Sequence, residues 1–171
     1  MTSRGKKIFL ALTVIVPFLI YSIVYYAPII RNAPFKEKNF VSLEYSWGTS
    51  KLENTYRSAT GEFKYLNKSD SLINRNIKLT LKDIKYLDSI ADVQGFWNLP
   101  NIVANNQEDV NNPKQFRYFI KFNYQKKSKE VTYFPNFSGN QKMKTATAKM
   151  QKIIEQYLID ADQKLRTMTI K

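Results

Sequence analysis

The sequence of 171 residues contains no cysteine and no histidine, and only five glycines. Without cysteine there is no disulfide, thiol nucleophile or thiolate metal site, and without histidine the commonest general base and transition-metal ligand is missing. Serine-histidine and cysteine-histidine enzymes are therefore excluded. The glycines form neither a phosphate-binding loop nor a dinucleotide-binding fingerprint, so we predict no catalytic residues and no cofactor.

Charge is missing from one long stretch, residues 8–30. With a rise of about 1.5 Å per residue, these residues cover roughly 34 Å as a helix, against a bilayer hydrocarbon core of about 30 Å. Tyr21, Tyr25 and Tyr26 near the far end are typical of the aromatic belt at a membrane interface. The stretch therefore predicts a transmembrane helix.

A cleaved signal peptide is the competing interpretation, because Arg4, Lys6 and Lys7 precede the apolar stretch. Signal-peptide cores are usually about 7 to 15 residues long and are followed by a small-x-small cleavage site. Tyr25 and Arg31 occupy the −3 positions of the two Ala-Pro junctions, where a small residue is required. We therefore favour an uncleaved signal anchor.

The segments on either side of the anchor predict its orientation. Three basic residues lie on each side, so charge alone does not decide, but long domains translocate largely regardless of their charge. We expect residues 1–7 to form a cytoplasmic tail and 31–39 a juxtamembrane linker at the inner (plasma) membrane. Residues 40–166 then form an extracytoplasmic domain, periplasmic in a Gram-negative bacterium, followed by a tail at 167–171.

Alternation of apolar and polar residues predicts the strands of this domain. The predicted strands are 40–47, 51–57, 62–66, a possible fourth at 76–79, 116–124 and 129–134. The last two form a hairpin with a two-residue turn at 126–127. Matching their apolar faces sets Phe122 opposite Val131 and Phe119 opposite Phe134.

Two helices complete the domain. Thr80 is the predicted N-cap of the first helix, with Asp83 completing a capping box, and Gly95 ends the helix in a left-handed conformation. The second helix is predicted over 140–165 from a single apolar arc about 140° wide. Between the first helix and the hairpin, the Asn-rich stretch 101–115 predicts a mobile loop.

Most predicted strands have one apolar and one largely polar face. In the first strand the inward residues are Val41, Leu43, Tyr45 and Trp47. We therefore predict an α+β fold, a two-layer sandwich of an antiparallel sheet of about five to six strands with both helices on one face. The element order is β-β-β-(β)-α-β-β-α.

The carboxylates are the remaining candidates for a catalytic or metal-binding set. Glu44, Glu53 and Glu62 fall on the outer face of the first three strands and interleave with basic residues, which is typical of solvated cross-strand ion pairs. A hydrolase using carboxylates alone is the least favoured function. Residues 101–115 carry oxygen ligands suited to calcium but lack its alternating acidic spacing, so we predict a plain loop with calcium as the weaker alternative.

The net charge of +13 is unevenly distributed. Residues 39–112 have a net charge of −1 and residues 113–171 a net charge of +9. No nucleic-acid-binding motif accompanies this charge, so nucleic acid is not a predicted partner. Anionic lipid or an anionic polymer is a better candidate partner for this charge. The alternative is that the lysines form a solvated face with no binding role. The candidate contacts lie on the last helix: Lys142, Lys144, Lys149 and Lys152.

Phe119 and Phe134 interrupt the polar face of the hairpin, and in the predicted register they form an exposed aromatic pair flanked by Arg117 and Lys121. Such a pair is a candidate anchor for a protein partner, unless the linker or a loop covers it. The sequence thus predicts a non-enzymatic, membrane-anchored interaction or accessory module of a cell-envelope complex. A domain that binds lipid or an anionic polymer is the alternative, and the oligomeric state is left open.

Overall fold

The computed structural model describes residues 3–32 and 39–169. It divides into two compact units, Met1–Phe35 and Lys36–Lys171. The first unit contains helix α1, Ser3–Asn32. Within it, Phe9–Tyr26 is long and apolar enough to cross a membrane, with a mean hydropathy of 2.1 and no residue buried inside the structure. This agrees with the predicted anchor.

The second unit is an α+β fold around one seven-stranded sheet. Its elements are β1 Phe40–Gly48, β2 Asn54–Arg57, β3 Glu62–Leu66, β4 Leu72–Asn76, α2 Leu81–Val93, β5 Ile102–Val103, α3 Gln107–Asn111, β6 Arg117–Tyr124, β7 Ser128–Tyr133 and α4 Gln141–Thr169. The strand order is β4-β3-β2-β1-β6-β7-β5, with β5 parallel to β7 and every other pair antiparallel.

The predicted sheet was too small and of the wrong type, because it had five to six strands, all antiparallel. The extra strand, β5, lies inside 101–115, which was predicted to be a loop and which also contains α3. A two-residue strand is too short to show alternation, and its pairing depends on β7 in a distant part of the chain. The fourth strand lies at Leu72–Asn76 rather than at 76–79.

Helices α2 and α4 cover the same face of the sheet. The Tyr45 hydroxyl on β1 donates to Glu155 of α4 over 2.6 Å, and the Tyr124 hydroxyl on β6 donates to Asp88 of α2. Tyr45 lies opposite Ile120, which is four residues from Tyr124 and therefore on the same face. The core lies between this face and the helices.

The β6–β7 hairpin has the predicted faces but not the predicted register. Phe119 pairs with Thr132, not with Phe134, and Val131 pairs with Ile120, not with Phe122. The shift is two residues, because the last pair is Asn123 with Ser128, so four residues rather than two make the turn. A register shift of two residues leaves every side chain on the predicted face of the sheet, so the faces of the hairpin are as predicted.

The entry of β1 also departs from the prediction. The pairing of β1 with β6 shifts between Phe40 and Ser42, which leaves Val41 as the extra residue of a β-bulge. Val41 is consequently 55% exposed rather than inward, while Ser42, on the outer face beside Asn123, is buried. The inward positions Leu43 and Tyr45 are confirmed.

The predicted ends of α2 are confirmed. The Thr80 side chain accepts the Asp83 backbone N–H over 3.2 Å, and an Asp83 carboxylate oxygen accepts the Thr80 N–H over 2.8 Å. Gly95 follows the helix in the left-handed region, with φ at 67°. α4 extends to Thr169, beyond the predicted end at residue 165, and Asn140 caps it by accepting the N–H groups of Lys142 and Met143.

Replacing the capping threonine, Thr80→Ala, should lower the free energy of unfolding by about 1 kcal/mol, within a range of about 0.5–2 kcal/mol, because the first turn of α2 loses its side-chain acceptor. Urea unfolding followed by circular dichroism measures the loss. The matched control is Thr145→Ala, an exposed residue within α4, which should be neutral or slightly stabilising. Equal losses in the two variants would contradict a specific role for the cap.

Candidate functional site

Three parallel rows of side chains on α4, each with a spacing of four residues, decide what this helix contacts. The central row is fully buried against the sheet and consists of Ala146, Met150, Ile154 and Leu158. A second row carries polar groups toward inward tyrosines, ending in the Glu155 carboxylate that holds Tyr45. The third row is apolar but only partly covered, and it consists of Ile153, Tyr157, Ala161 and Leu165.

This third row, which we call the α4 ridge, forms one side of a groove between α2 and α4. Tyr86 of α2 packs against Tyr157 of the ridge, with ring centroids 5.6 Å apart, and is 46% exposed. Leu165 at the other end is 39% exposed. The apolar arc of α4 is thus wider than the sheet and α2 together can cover.

The groove consists of two adjoining hollows of about 710 and 330 Å³. The two share Thr80, Asp83 and Lys164, so they form one continuous depression that is open to solvent. We call it the α2–α4 groove. Its size falls in the range typical of binding sites, although it is a surface channel rather than an enclosed cavity.

Four lysines stand around the α2–α4 groove: Lys78, Lys82, Lys152 and Lys164. Within the described residues none of their ammonium groups has an ion pair. The two carboxylates of the groove are already engaged, because Asp83 belongs to the capping box and Asp160 accepts the Gln156 amide over 2.8 Å. With four lysines against two carboxylates, the groove presents a net positive charge above an apolar floor.

Burial raises the pKa of the Tyr157 hydroxyl above its ordinary value, and the nearby Asp83, Tyr86 and Asp160 raise this pKa further. Its ordinary pKa is already about 10, so the hydroxyl is neutral at physiological pH. The tyrosine pair of the groove thus acts as an amphipathic contact surface rather than as a source of charge.

The aromatic pair predicted on the opposite face of the sheet does not exist. Phe134 is 0% exposed, and the Arg117 guanidinium carbon lies 4.8 Å from the centre of its ring. Arg117 itself donates to the carbonyls of Val110 and Asn112, at 3.2 and 2.8 Å. The segment that holds Arg117 therefore covers Phe134, as the alternative interpretation allowed, and Phe134 does not form the exposed pair that the sequence predicted. The contact role of Arg117 stays a prediction.

The other two predicted contacts on that face lie at its surface. Phe119 is half-buried beside Thr132, and the Lys121 ammonium group lies 3.5 Å from Glu130. The proposed contact role of these two residues stays a prediction. Because Lys121 already has a partner, the face offers less unpaired charge than the α2–α4 groove.

The lysines predicted to contact an anionic surface lie at different places on α4. Lys142 and Lys149 are exposed away from the groove, and Lys144 is half-buried in the first turn. Lys152 is exposed and lines the groove. The structure therefore splits the predicted lysine set, with one member joining a site that the sequence did not reveal.

The carboxylates of the domain are distributed as ion-pair and turn partners. Glu62 pairs with Lys64 on its own strand and lies 3.7 Å from Arg57 on β2. The Arg57 contact agrees with the predicted cross-strand pairs. Glu53 is not on a strand but accepts the Thr49 N–H over 2.8 Å in the turn before β2. Among residues 3–32 and 39–169 no group of three acidic side chains could hold a metal ion.

The stretch considered for calcium uses its oxygens internally. Asp109 accepts the side-chain amides of Asn105 and Asn136, at 3.4 and 3.1 Å, and Asn105 accepts the Ser138 N–H over 2.8 Å. These bonds tie 101–115 to the segment after β7. The segment is therefore held to the domain by these bonds, rather than being the mobile loop that the sequence predicted.

The sequence did not predict the α2–α4 groove, because the apolar arc of α4 was taken as a single face packed on the sheet. A finer signal was present, since the arc holds more four-residue rows than one packed face requires. Comparison of the chain with known proteins found no matching family model, no matching curated protein and no matching solved structure.

Proposed function

We propose that this protein is a single-pass membrane protein whose second unit is a non-enzymatic interaction module of a cell-envelope protein complex. The observation that carries the proposal is the partly exposed α4 ridge in the α2–α4 groove. Apolar surface that a domain leaves uncovered beside unpaired charge is typical of a protein contact site. The chain has neither histidine nor cysteine, which favours binding over catalysis.

The anchor in this proposal is the apolar part of α1, with the N-terminal tail in the cytoplasm and the second unit outside it. Support comes from the length and mean hydropathy of Phe9–Tyr26. Support also comes from the length of the domain that follows, because long domains are translocated largely regardless of their charge.

A second candidate function is contact with anionic lipid or an anionic polymer through the start of α4. The observation that favours it is the segment 141–154, which carries four lysines and no acidic residue. Each lysine near an anionic membrane surface contributes about 1 kcal/mol. This function uses Lys142 and Lys149 rather than the groove, so the two candidates are experimentally separable.

One cysteine-directed experiment tests both orientation and interaction, because the chain has no cysteine of its own. Gln156→Cys on the groove is labelled in intact cells with a membrane-impermeant, photoreactive maleimide and then illuminated. We expect labelling without permeabilisation and, after illumination, one discrete protein adduct. The matched control, Asn74→Cys on exposed β4, should be labelled equally and form no such adduct.

Two results would count against the proposal in different ways. Labelling of Gln156→Cys only after permeabilisation would contradict the proposed orientation, because it would place the second unit in the cytoplasm. Efficient labelling that gives no protein adduct, or the same adducts from both cysteine positions, would remove the support for a groove-centred interaction module.

A further inference from the structure

We propose that the α2–α4 groove binds an acidic amphipathic helix of a partner protein. This inference rests on the proposed interaction function and names the chemistry of the partner. Three features of the groove carry it, namely the form of its floor, the charge around it and the small number of its own carboxylates.

The floor has the form of a helix-packing surface. The ridge from Ile153 to Leu165 keeps a spacing of four residues, which is the row that packs into the grooves of a neighbouring helix in the commonest packing class. With a rise of about 1.5 Å per residue, these twelve steps extend over roughly 18 Å. A partner helix of about three turns would match that length.

The other side of the groove is also apolar, because Tyr86 of α2 packs beside Tyr157 and is partly exposed. Two helices with an apolar seam between them offer the two sides of a three-helix contact. An amphipathic helix that lays its apolar stripe into such a groove would bury this seam. A flexible polar chain would leave the tyrosines and the ridge in contact with water.

The charge around the floor selects an acidic helix. Lys152 stands near one end of the ridge, and Lys78 and Lys164 stand near the other. Acidic side chains flanking the apolar stripe of a bound helix would lie within reach of these ammonium groups. Because the four lysines outnumber the two carboxylates, Asp83 and Asp160, a basic helix would meet net repulsion in the groove.

A direct binding measurement tests the partner chemistry. The full chain is placed in nanodiscs of zwitterionic lipid, and fluorescence anisotropy follows an 18-residue synthetic helical peptide with leucines on one face and glutamates on its flanks. The matched probe carries lysine in place of every glutamate. We expect the acidic peptide to bind at least about tenfold more tightly than the basic one, with an affinity that falls as salt rises.

Groove variants locate the binding. Lys82→Gln, Lys152→Gln and Lys164→Gln combined should weaken acidic-peptide binding about tenfold, since exposed pairs contribute modestly but add together. Tyr86→Ala should weaken it at moderate and high salt alike, because that contact is apolar. The control combines Lys114→Gln, Lys126→Gln and Lys149→Gln, which removes the same charge from exposed positions outside the groove and should leave binding within about twofold.

Several outcomes would overturn the inference. Equal binding of the two peptides, equal weakening by the groove and control variants, or no binding of either peptide would each do so. Loss of acidic-peptide binding in nanodiscs that contain anionic lipid would assign the groove lysines to a membrane surface instead. If Gln156→Cys still forms its protein adduct in any of these cases, the interaction function stands and only the partner chemistry fails.

Discussion

Raising the pH from 10 to 12 should unfold the second unit cooperatively, with the free energy of unfolding falling by about 4 kcal/mol per pH unit. Burial raises the pKa of Tyr56 to about 12. Burial also raises the pKa of Tyr45 and Tyr124 well above the ordinary value, and hydrogen bonds to Glu155 and Asp88 raise these two further. An unfolded tyrosine titrates near about 10.

The direction follows from proton counting. Above about pH 10 the unfolded chain loses three protons that the folded domain keeps, so the unfolded state gains stability as pH rises. Each tyrosine contributes a slope of about 1.4 kcal/mol per pH unit between its unfolded and folded pKa values. Below about pH 10 these groups are protonated in both states, and their contribution to stability is fully present.

Urea midpoints measured from pH 6 to 12, together with tyrosinate absorbance near about 295 nm, check this prediction. The curve should be nearly flat from about pH 6 to 9, because the chain has no histidine or cysteine to titrate there. Tyr56→Phe should reduce the alkaline slope by about one third. Smooth ionisation of all tyrosines near pH 10 in a still-folded domain would contradict the assignment.

Those three buried tyrosines show how far a single sequence carries an argument about structure. The inward placement of Tyr45 and Tyr124 follows from two-residue alternation within one strand, and the structure confirms it. Their partners Glu155 and Asp88 lie on helices far away in the chain, so no local pattern could pair them.

The cap of α2 was predictable because its bonds are local, and the register of the hairpin was not because the local pattern leaves it open. The bonds between Thr80 and Asp83 lie within one helical turn, so four residues contain all the information that the cap requires. Alternation in the hairpin repeats every two residues, so it determines which face Phe119 occupies but leaves registers two residues apart equivalent. The turn at the tip of the hairpin decided between them.

The groove and the covered Phe134 depended on a different kind of information. Whether Tyr157 is buried or exposed depends on where α2 lies, and whether Phe134 is exposed depends on the loop that holds Arg117. Both are contacts between distant segments. An interaction surface depends on such contacts, which is why the sequence indicated one on the open face of the sheet and did not reveal the α2–α4 groove.

The largest single-substitution effect on stability should come from Phe122→Ala, which we expect to cost about 3–5 kcal/mol. Phe122 is 1% exposed, and its ring centroid lies 5.4 Å from that of Phe96 and 5.3 Å from that of Trp97. Removing it leaves a cavity between β6 and the turn after α2, where two large aromatic rings lose their contacts. The rings of Phe96 and Trp97 are held on one short segment and have little freedom to refill that space.

Phe119→Ala is the matched control, because Phe119 lies on the same strand three residues away and faces the opposite side of the sheet. Its loss should be about 1 kcal/mol or less, since the side chain is only half-buried. Urea unfolding of both variants at pH 7 provides the comparison. Comparable losses would mean that the outer face is as well packed as the core, and the open sheet face described for this strand would be wrong. A large difference would confirm that β6 separates a packed layer from an accessible one.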